Sequence, residues 1–273
     1  IGAYFRYKFD KEEVVELKVG ISYVSIANAR ENLEKEIGNR SFDEVYAAAR
    51  QTWNDALRAT VEGGTDEQKT IFYTALYHAL IHPNLLNDVN GDYPESKTNK
   101  IGKNHERYTV FSLWDTYRNY HQLLTLLYPE QQLQMVRTML DIYKESGWLP
   151  KWELNSTETF TMVGDPASIV LADTYLRGLT DFDIQTAYEA MLKGANTLEN
   201  NPIRPGVKEY WELGYLSVDG GVKGPVSTTQ EYNAADFAIA QIAKKLGKKA
   251  EKLEKIALGA AEQSKRNIVP SIQ

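Results

Sequence analysis

The amino-acid sequence predicts a mainly α-helical protein with a short β segment at its N-terminus. From residue 28 onwards, apolar side chains recur at the spacing of a helix face. Helix-start signals precede these stretches, since Ser41 with Glu44 and Thr65 with Gln68 have the spacing of a capping box. Short loops between helices favour antiparallel hairpins, arranged as a helical barrel or a solenoid. No repeat of about 34 or 40 residues is evident, which weakens the solenoid interpretation.

The first 27 residues carry the alternating pattern of a strand. Apolar side chains fall at every second position, at Val15, Leu17, Val19, Ile21 and Tyr23. An isolated two-stranded ribbon is marginal in water. This segment is therefore predicted to be the end of a larger sheet, or to pack on the helices that follow.

The helical pattern divides the rest of the chain. Three long segments without it, at 84–108, 147–165 and 200–227, are predicted to be loops. Long loops in a compact domain are often functional, so these are candidates for a binding site. The predicted helices cover residues 42–61, 67–82, 111–127, 130–146, 166–178, 182–199, 228–246 and 249–266.

Composition excludes several classes of function. The net charge of −6 and the lack of a basic face argue against nucleic acid or an anionic membrane surface as partner. No apolar run approaches the roughly 20 residues of a membrane span. The chain has no cysteine, which excludes disulfides and thiolate metal sites. His78 and His82 have a metal-compatible spacing, but no third ligand is near, so we assign no metal ligand.

The segment FSLWDTYRNYHQ is the strongest candidate for a binding site. It places Trp114, Asp115, Tyr117, Arg118 and His121 within a little over two helical turns. Flat rings stack on the apolar face of a sugar, while carboxylates and guanidinium groups bind its hydroxyls. The alternative is a surface pair between Asp115 and Arg118, which lie three residues apart on one helix face. The sequence leaves both interpretations open.

A second candidate is the loop GWLPKWELNSTETFTMVGDP. It carries Trp152 and Glu158, and Trp148 and Glu153 belong to the same loop. Asp165 before Pro166 is typical of a helix start, with Asp165 as the N-cap.

Glu231 is the third candidate. It follows Thr228 at the spacing of a capping box, a structural role that is compatible with a ligand contact. We do not favour it as a general acid.

The sequence resembles glycoside hydrolase family 92, the calcium-dependent, exo-acting α-mannosidases. The resemblance runs through residues 19–37, 72–83, 111–118, 147–152, 157–167 and 228–247, in segments such as FSLWDTYR, GWLPKW and TETFTMVGDPA. Small departures occur at Phe160, where family members often have Cys, and at Gln230, where they have Leu.

The resemblance implies a fold and a set of binding residues. It implies an N-terminal β-sandwich followed by an (α/α)6 barrel. We expect residues 1–27 to be terminal sandwich strands, 28–65 linking helices and 66–273 the first half of the barrel. By resemblance, Trp114 and Asp115 belong to the subsite for the terminal mannose. We assign Arg118, Trp152, Glu158 and Glu231 to substrate binding at the same end of the barrel.

Catalytic motifs of the family are not found in these 273 residues. Its acid lies in a Glu-Gly-Asn motif, its calcium ligands lie around Asn-Glu-Pro, and its base aspartates lie in a further motif. We therefore expect them beyond Gln273 and assign this chain no catalytic residue and no calcium ligand. The chain is expected to be part of a longer enzyme and inactive alone.

The resemblance also sets expectations for the substrate, partners and location. The implied reaction removes terminal α-linked mannose, with an α-1,2 linkage expected, from glycans with inversion. A half barrel exposes apolar helix faces, through which the chain could self-associate. The sequence by itself assigns no compartment. By resemblance, the parent enzyme is expected to be secreted or periplasmic. The alternatives are a non-catalytic helical module that binds glycans or a protein, and an intact hydrolase or lyase that uses Glu231 and Asp115.

Overall fold

The computed structural model describes residues 4–98, 100–103, 105–249 and 251 of the chain. Most of its regular secondary structure is helical, which confirms the prediction of a mainly α protein; closure into an (α/α)6 barrel stays a prediction. The helices are α1 (Ile26–Glu36), α2 (Phe42–Ala56), α3 (Asp66–Ala79), α4 (Leu113–Thr116), α5 (Tyr120–Leu127), α6 (Pro129–Ser146), α7 (Pro166–Leu176), α8 (Ile184–Asn196), α9 (Val207–Leu213) and α10 (Pro225–Lys245).

Most of the short antiparallel strands lie in two of the segments that were predicted to be loops. Two separate ladders pair β1 with β4 and β2 with β3, and a three-stranded sheet has the order β5-β6-β7. The strands are β1 (Asn84–Leu85), β2 (Tyr93–Pro94), β3 (Ile101–Gly102), β4 (Tyr108–Thr109), β5 (Phe111–Ser112), β6 (Trp152–Leu154) and β7 (Thr157–Glu158). The three-stranded sheet matters most, because it joins two of the candidate segments.

The prediction of strands near the N-terminus is wrong for the residues that the structure describes. Residues 4–25 contain no strand, and the alternating side chains are exposed, with Leu17 at 73% and Ile21 at 69%. The physical reason is that a strand needs a neighbour for its backbone hydrogen bonds, and this segment has none. Side-chain contacts hold it instead, since Lys18 Nζ donates to Gly38 O at 2.9 Å and Asn32 Nδ2 donates to Ile21 O at 2.8 Å. Its membership of a β-sandwich stays a prediction.

The predicted single helix over 111–127 is also wrong. Phe111 and Ser112 pair with β6, and the helical part divides into α4 and α5. The apolar side chains of this segment belong to one strand and two short helices rather than to one long helix. The reason is that pairing with a distant strand overrides local helix propensity. The predicted helix over 249–266 lies outside the described residues, apart from Lys249 and Glu251.

The helix starts agree in part with the sequence. Ser41 with Glu44 and Thr65 with Gln68 form capping boxes, as predicted. The capping box at Thr228 is wrong, because α10 begins three residues earlier at Pro225 and Thr228 lies inside its first turn.

Helix α7 lies at the centre of the core. It packs against α4, α5, α6, α8 and α10, and its contact with α10 is the most extensive between any two described elements. Its inward face is apolar and closely fitted, with Leu171 fully buried. Because the loop 159–165 leads directly into this helix, the core fixes the position of that loop. Neighbouring helices contribute Val136, Met139, Ile142, Met191, Ile239 and Ile242 to the same cluster.

The surface carries exposed apolar side chains. Leu126 is 78% exposed, and Phe237 and Leu176 are 47% and 44% exposed. Self-association through such a face stays a prediction. None of the described helices is long and apolar enough to cross a membrane.

Truncation of Leu171 tests the central position of α7. We expect Leu171→Ala to lower the free energy of unfolding by about 2–5 kcal/mol, because it removes buried apolar volume and leaves a cavity. Urea unfolding measures the change. Leu176→Ala, in the same helix but 44% exposed, is the matched control and should cost no more than about 0.5 kcal/mol. Equal losses in the two variants would contradict this packing.

Candidate functional site

The turn that carries Trp114 and Asp115 begins where β5 ends. Ser112 is the last residue of β5, and its hydroxyl donates to the Asp115 carboxylate. Asp115 is exposed, whereas Trp114 is half-buried. The indole Nε1 of Trp114 is buried and has no hydrogen-bond acceptor among the described residues. This turn therefore presents an oriented carboxylate next to a ring with a free donor.

Arg118 extends across this turn to another helix. Its guanidinium lies 4.4 Å from the ring centroid of Tyr117 and 5.3 Å from that of Trp114, within cation–π range. It donates to Trp114 O at 2.8 Å and forms an ion pair with Glu231. The surface pair between Asp115 and Arg118 is therefore not the interaction that forms, because Glu231 of α10 is the partner.

Glu231 connects three parts of the structure. Its second oxygen accepts a hydrogen bond of 2.7 Å from the Tyr117 hydroxyl. Burial, together with this bond, raises the pKa of Tyr117. The loop before α7 rests on the same side chain, since a Cβ added to Gly164 would lie 2.7 Å from Glu231 Cβ. Gly164 also has a φ of +83°. A larger residue there would therefore clash with Glu231 and would also be held in an unfavourable backbone conformation. Glu231 thus joins the Trp114 turn, the loop and α10.

The β6–β7 hairpin places Trp152 and Glu158 beside the turn. Trp152 pairs directly with Ser112 across β5 and β6. The Glu158 carboxylate accepts backbone N–H bonds from Lys151 at 2.8 Å, Trp152 at 3.0 Å and Phe160 at 2.7 Å. In this structure Glu158 therefore fixes the backbone on both sides of the hairpin.

Glu153 lies fully buried behind the same sheet. Its carboxylate accepts hydrogen bonds from the Thr109 hydroxyl at 3.0 Å, Val110 N at 3.1 Å and Ser156 N at 2.5 Å. Burial raises the pKa of Glu153 to about 7, against the opposing effects of these bonds and of the Arg107 charge.

A buried ionic cluster lies at the start of α7. Arg204 donates through Nε to Asp165 Oδ2 at 3.0 Å and through Nη1 to Asp236 Oδ1 at 2.6 Å. Tyr210 donates its hydroxyl to Asp236 at 2.9 Å. Asp165 does precede α7 with Pro166 in the first helical position, as predicted, but its side chain makes no cap and binds Arg204 instead.

His121 supports the turn from inside the core. Its ring nitrogens lie 2.9 Å from Gln132 Oε1 and 3.1 Å from Thr116 Oγ1. Burial lowers the pKa of His121 to about 4, so the ring is neutral at ordinary pH. It is a structural residue rather than part of a ligand-binding surface.

The described residues do not fit the calcium ion that the resemblance implies. No group of three or more His, Asp or Glu side chains is placed to hold a metal in the part of the chain that the structure describes. We therefore derive no step of a reaction through calcium from these residues.

The structure connects the predicted binding residues through the contacts above. It links Trp114, Asp115, Arg118 and Glu231 around the turn, and joins Trp152 to them through its pairing with Ser112. Their function in substrate binding stays a prediction. The sequence analysis missed the structural roles of Ser112, Tyr117 and Glu153. The pair Asn155-Ser156, a turn signal in the middle of the loop, could have revealed the hairpin that buries Glu153.

Comparison with known proteins gives consistent matches. A model of the glycosyl hydrolase family 92 catalytic domain matches residues 28–261. A protein from Arthroderma benhamiae, described as an uncharacterized secreted glycosidase, is 28% identical in a match 258 positions long, and the match covers 87% of this chain and 29% of the relative.

Solved structures agree with these sequence matches. A family GH92 α-mannosidase from Bacteroides thetaiotaomicron, solved with mannoimidazole, is 36% identical over 87% of this chain and 31% of its own, with a TM-score of 0.81. A family GH92 inverting mannosidase from the same species is 31% identical over 86% of this chain and 33% of its own, with a TM-score of 0.81. The chain thus spans about a third of the length of these relatives.

The raised pKa of Glu153 predicts a pH-dependent stability. Between its ordinary value of 4.5 and about 7, the folded protein keeps a proton that the unfolded chain has lost. The free energy of unfolding should therefore fall as pH rises through this range, by on the order of 3 kcal/mol. Urea unfolding between pH 4.5 and 8 measures the slope. Glu153→Gln cannot titrate and should flatten it; an unchanged slope in that variant would assign the effect elsewhere.

Proposed function

This chain belongs to glycosyl hydrolase family 92, and from that premise we propose that it is part of an enzyme that removes terminal α-linked mannose from glycans. We propose inversion at the anomeric carbon and a preference for the α-1,2 linkage. The similar mannosidases support this proposal, one of which is described as inverting. We further propose that the enzyme acts outside the cytoplasm, since the relative from Arthroderma benhamiae is described as secreted.

The observation that carries the proposal is the exposed Asp115 carboxylate, which follows Trp114 in the chain and is linked to Trp152 through Ser112. Ser112 donates to Asp115 and pairs with Trp152 on the neighbouring strand, so the three side chains belong to one surface. Trp114 adds a buried indole N–H that finds no acceptor within the described part of the chain. A neutral sugar complements this surface. Its hydroxyls can donate to Asp115 and accept from the Trp114 N–H, and its C–H face stacks on rings.

Each residue has a defined part in this proposal. Asp115 accepts hydrogen bonds from the hydroxyls of the terminal mannose, and Trp114 and Trp152 contact its apolar face. Arg118 lies at the rim, where its side chain is 47% exposed, and donates to a sugar hydroxyl. Glu158 and Glu231 form the wall of the site.

Hydrolysis with inversion needs two carboxyl groups that this chain's binding residues do not supply. One carboxyl group protonates the leaving oxygen, and the other activates a water on the opposite face of the sugar. The two carboxyl groups of an inverting enzyme are about 6.5–9.5 Å apart. We propose that both come from other parts of the protein that carries this chain. The role of Asp115 is then to hold the sugar between these two carboxyl groups, because the orientation of bound groups contributes strongly to the rate.

The second candidate is a non-catalytic module that binds glycans or a protein. The exposed carboxylate and the tryptophans would also serve a binding module, but the family match and the similar mannosidases favour the enzyme. A saturable titration with α-1,2-mannobiose without any release of mannose would favour glycan binding, and no interaction with sugar would favour a protein partner.

Asp115→Ala tests the proposed function. In the protein that carries this chain, we expect kcat/KM for α-1,2-mannobiose to fall by about 10²-fold or more, because a charge-assisted hydrogen bond to the substrate is lost. Mannose release measures the rate, and NMR of the first product reports β-mannose if the enzyme inverts. Asp181→Ala, after the far end of α7 and 87% exposed at its side chain, is the control and should retain activity. Near-normal kcat/KM in Asp115→Ala would refute this role.

A further inference from the structure

Val110 occupies a strained corner of the backbone directly before the Trp114 turn. It is the single residue between β4 and β5, and the chain leaves one sheet and enters another at this point. Its φ is +65°. A β-branched side chain in this region is a rare outlier that costs about 1–3 kcal/mol, and such outliers cluster at functional sites. Some interaction must therefore hold the corner in place.

The Glu153 carboxylate holds this corner through hydrogen bonds. One of its oxygens accepts the N–H of Val110 at 3.1 Å, and both accept the Thr109 hydroxyl at 3.0 Å. The Thr109 hydroxyl oxygen in turn accepts the N–H of Asn155 at 2.7 Å. Glu153 thus binds the corner and the β6–β7 turn at once.

Ion pairing does not explain why this carboxylate is buried. The neighbouring cation, Arg107, forms its ion pair with Glu145 at 2.9 Å and donates to Ser96 at 3.0 Å. Burial of a carboxylate is costly, and here it is compensated by hydrogen bonds from backbone and hydroxyl groups. Those groups belong to the corner and the hairpin.

The direction of the corner determines where the binding turn lies. Phe111 follows Val110 and is fully buried, and Ser112 comes next with its bond to Asp115. Helix α4, which carries Trp114, starts one residue later. Only these few residues separate the corner from the candidate binding groups, so a change at Val110 is transmitted to them directly.

We propose that Glu153 is a positioning residue: by holding Val110 in the left-handed conformation, it fixes the orientation of Trp114 and Asp115. The consequence for sugar binding rests on the proposed function. The positioning itself does not, and the two can be tested separately.

Hydrogen exchange tests the positioning without any ligand. In Glu153→Gln, an amide replaces one acceptor oxygen by a donor, so the corner loses part of its support. We expect amide exchange in the peptide 111–118, measured at pH 8 where Glu153 is ionised, to become about tenfold faster. Exchange in 166–196 should stay unchanged, which separates a local effect from general destabilisation.

Val110→Gly supplies a rescue that a merely structural role for Glu153 would not produce. Glycine adopts a φ of +65° without strain. The double variant Glu153→Gln with Val110→Gly should therefore exchange more slowly over 111–118 than Glu153→Gln alone. Glu209→Gln is the matched control, because Glu209 likewise accepts a backbone N–H and a hydroxyl, both from Ser217. It should leave exchange over 111–118 unaltered.

Kinetics then connects the corner to the sugar. Glu153→Gln should lower kcat/KM for α-1,2-mannobiose by about 10²-fold, since small misplacements of binding groups have effects of this size, and Val110→Gly should recover part of the loss. Unchanged exchange over 111–118 in Glu153→Gln, or no rescue by Val110→Gly, would overturn the positioning role. A wild-type protein that releases no mannose, with exchange responding as stated, would refute the proposed function and support the positioning of the turn.

Discussion

The arrangement of the site depends on the buried ion pairs of Arg204 with Asp165 and Asp236. The Arg204 guanidinium lies between Asp165, at the start of α7, and Asp236, in the middle of α10, and all three side chains are almost fully buried. Two carboxyl groups face one guanidinium here, burial raises the pKa of Asp236, and Tyr210 adds a hydrogen bond to Asp236. Removal of one member of such a cluster leaves an uncompensated buried charge, which is strongly destabilising. The cluster therefore holds the loop 200–206, the start of α7 and α10 in one relative position.

Close packing of α7 on α10 completes this constraint. Both helices bury alanines, among them Ala167 and Ala172 of α7 and Ala235 of α10. Small side chains allow the two helices to approach, and the loop before α7 is then brought against Glu231. The binding turn is connected to the same core through Arg118 and Tyr117. Thus the elements around the candidate site are fixed by groups that themselves do not contact a ligand.

Local features of this fold could be predicted from the sequence, and non-local ones could not. The capping boxes at Ser41 and Thr65 depend on residues three positions apart, so their signals are complete in the sequence. The division of 111–127 depends on pairing with β6, some 40 residues away. Likewise Glu231 contacts the Trp114 turn through partners that lie more than 100 residues earlier in the chain. The resemblance identified the segments that meet; only the structure shows the contacts between them.

The close approach of Gly164 to Glu231 has a thermodynamic consequence. The loop cannot move towards α10, because a single added carbon would already lie 2.7 Å from the Glu231 side chain. Glu158 holds the other end of the same loop through the N–H of Phe160. The conformational entropy of ordering this wall is thus lost during folding rather than during association. A ligand that enters such a preorganised site keeps more of its interaction energy as affinity.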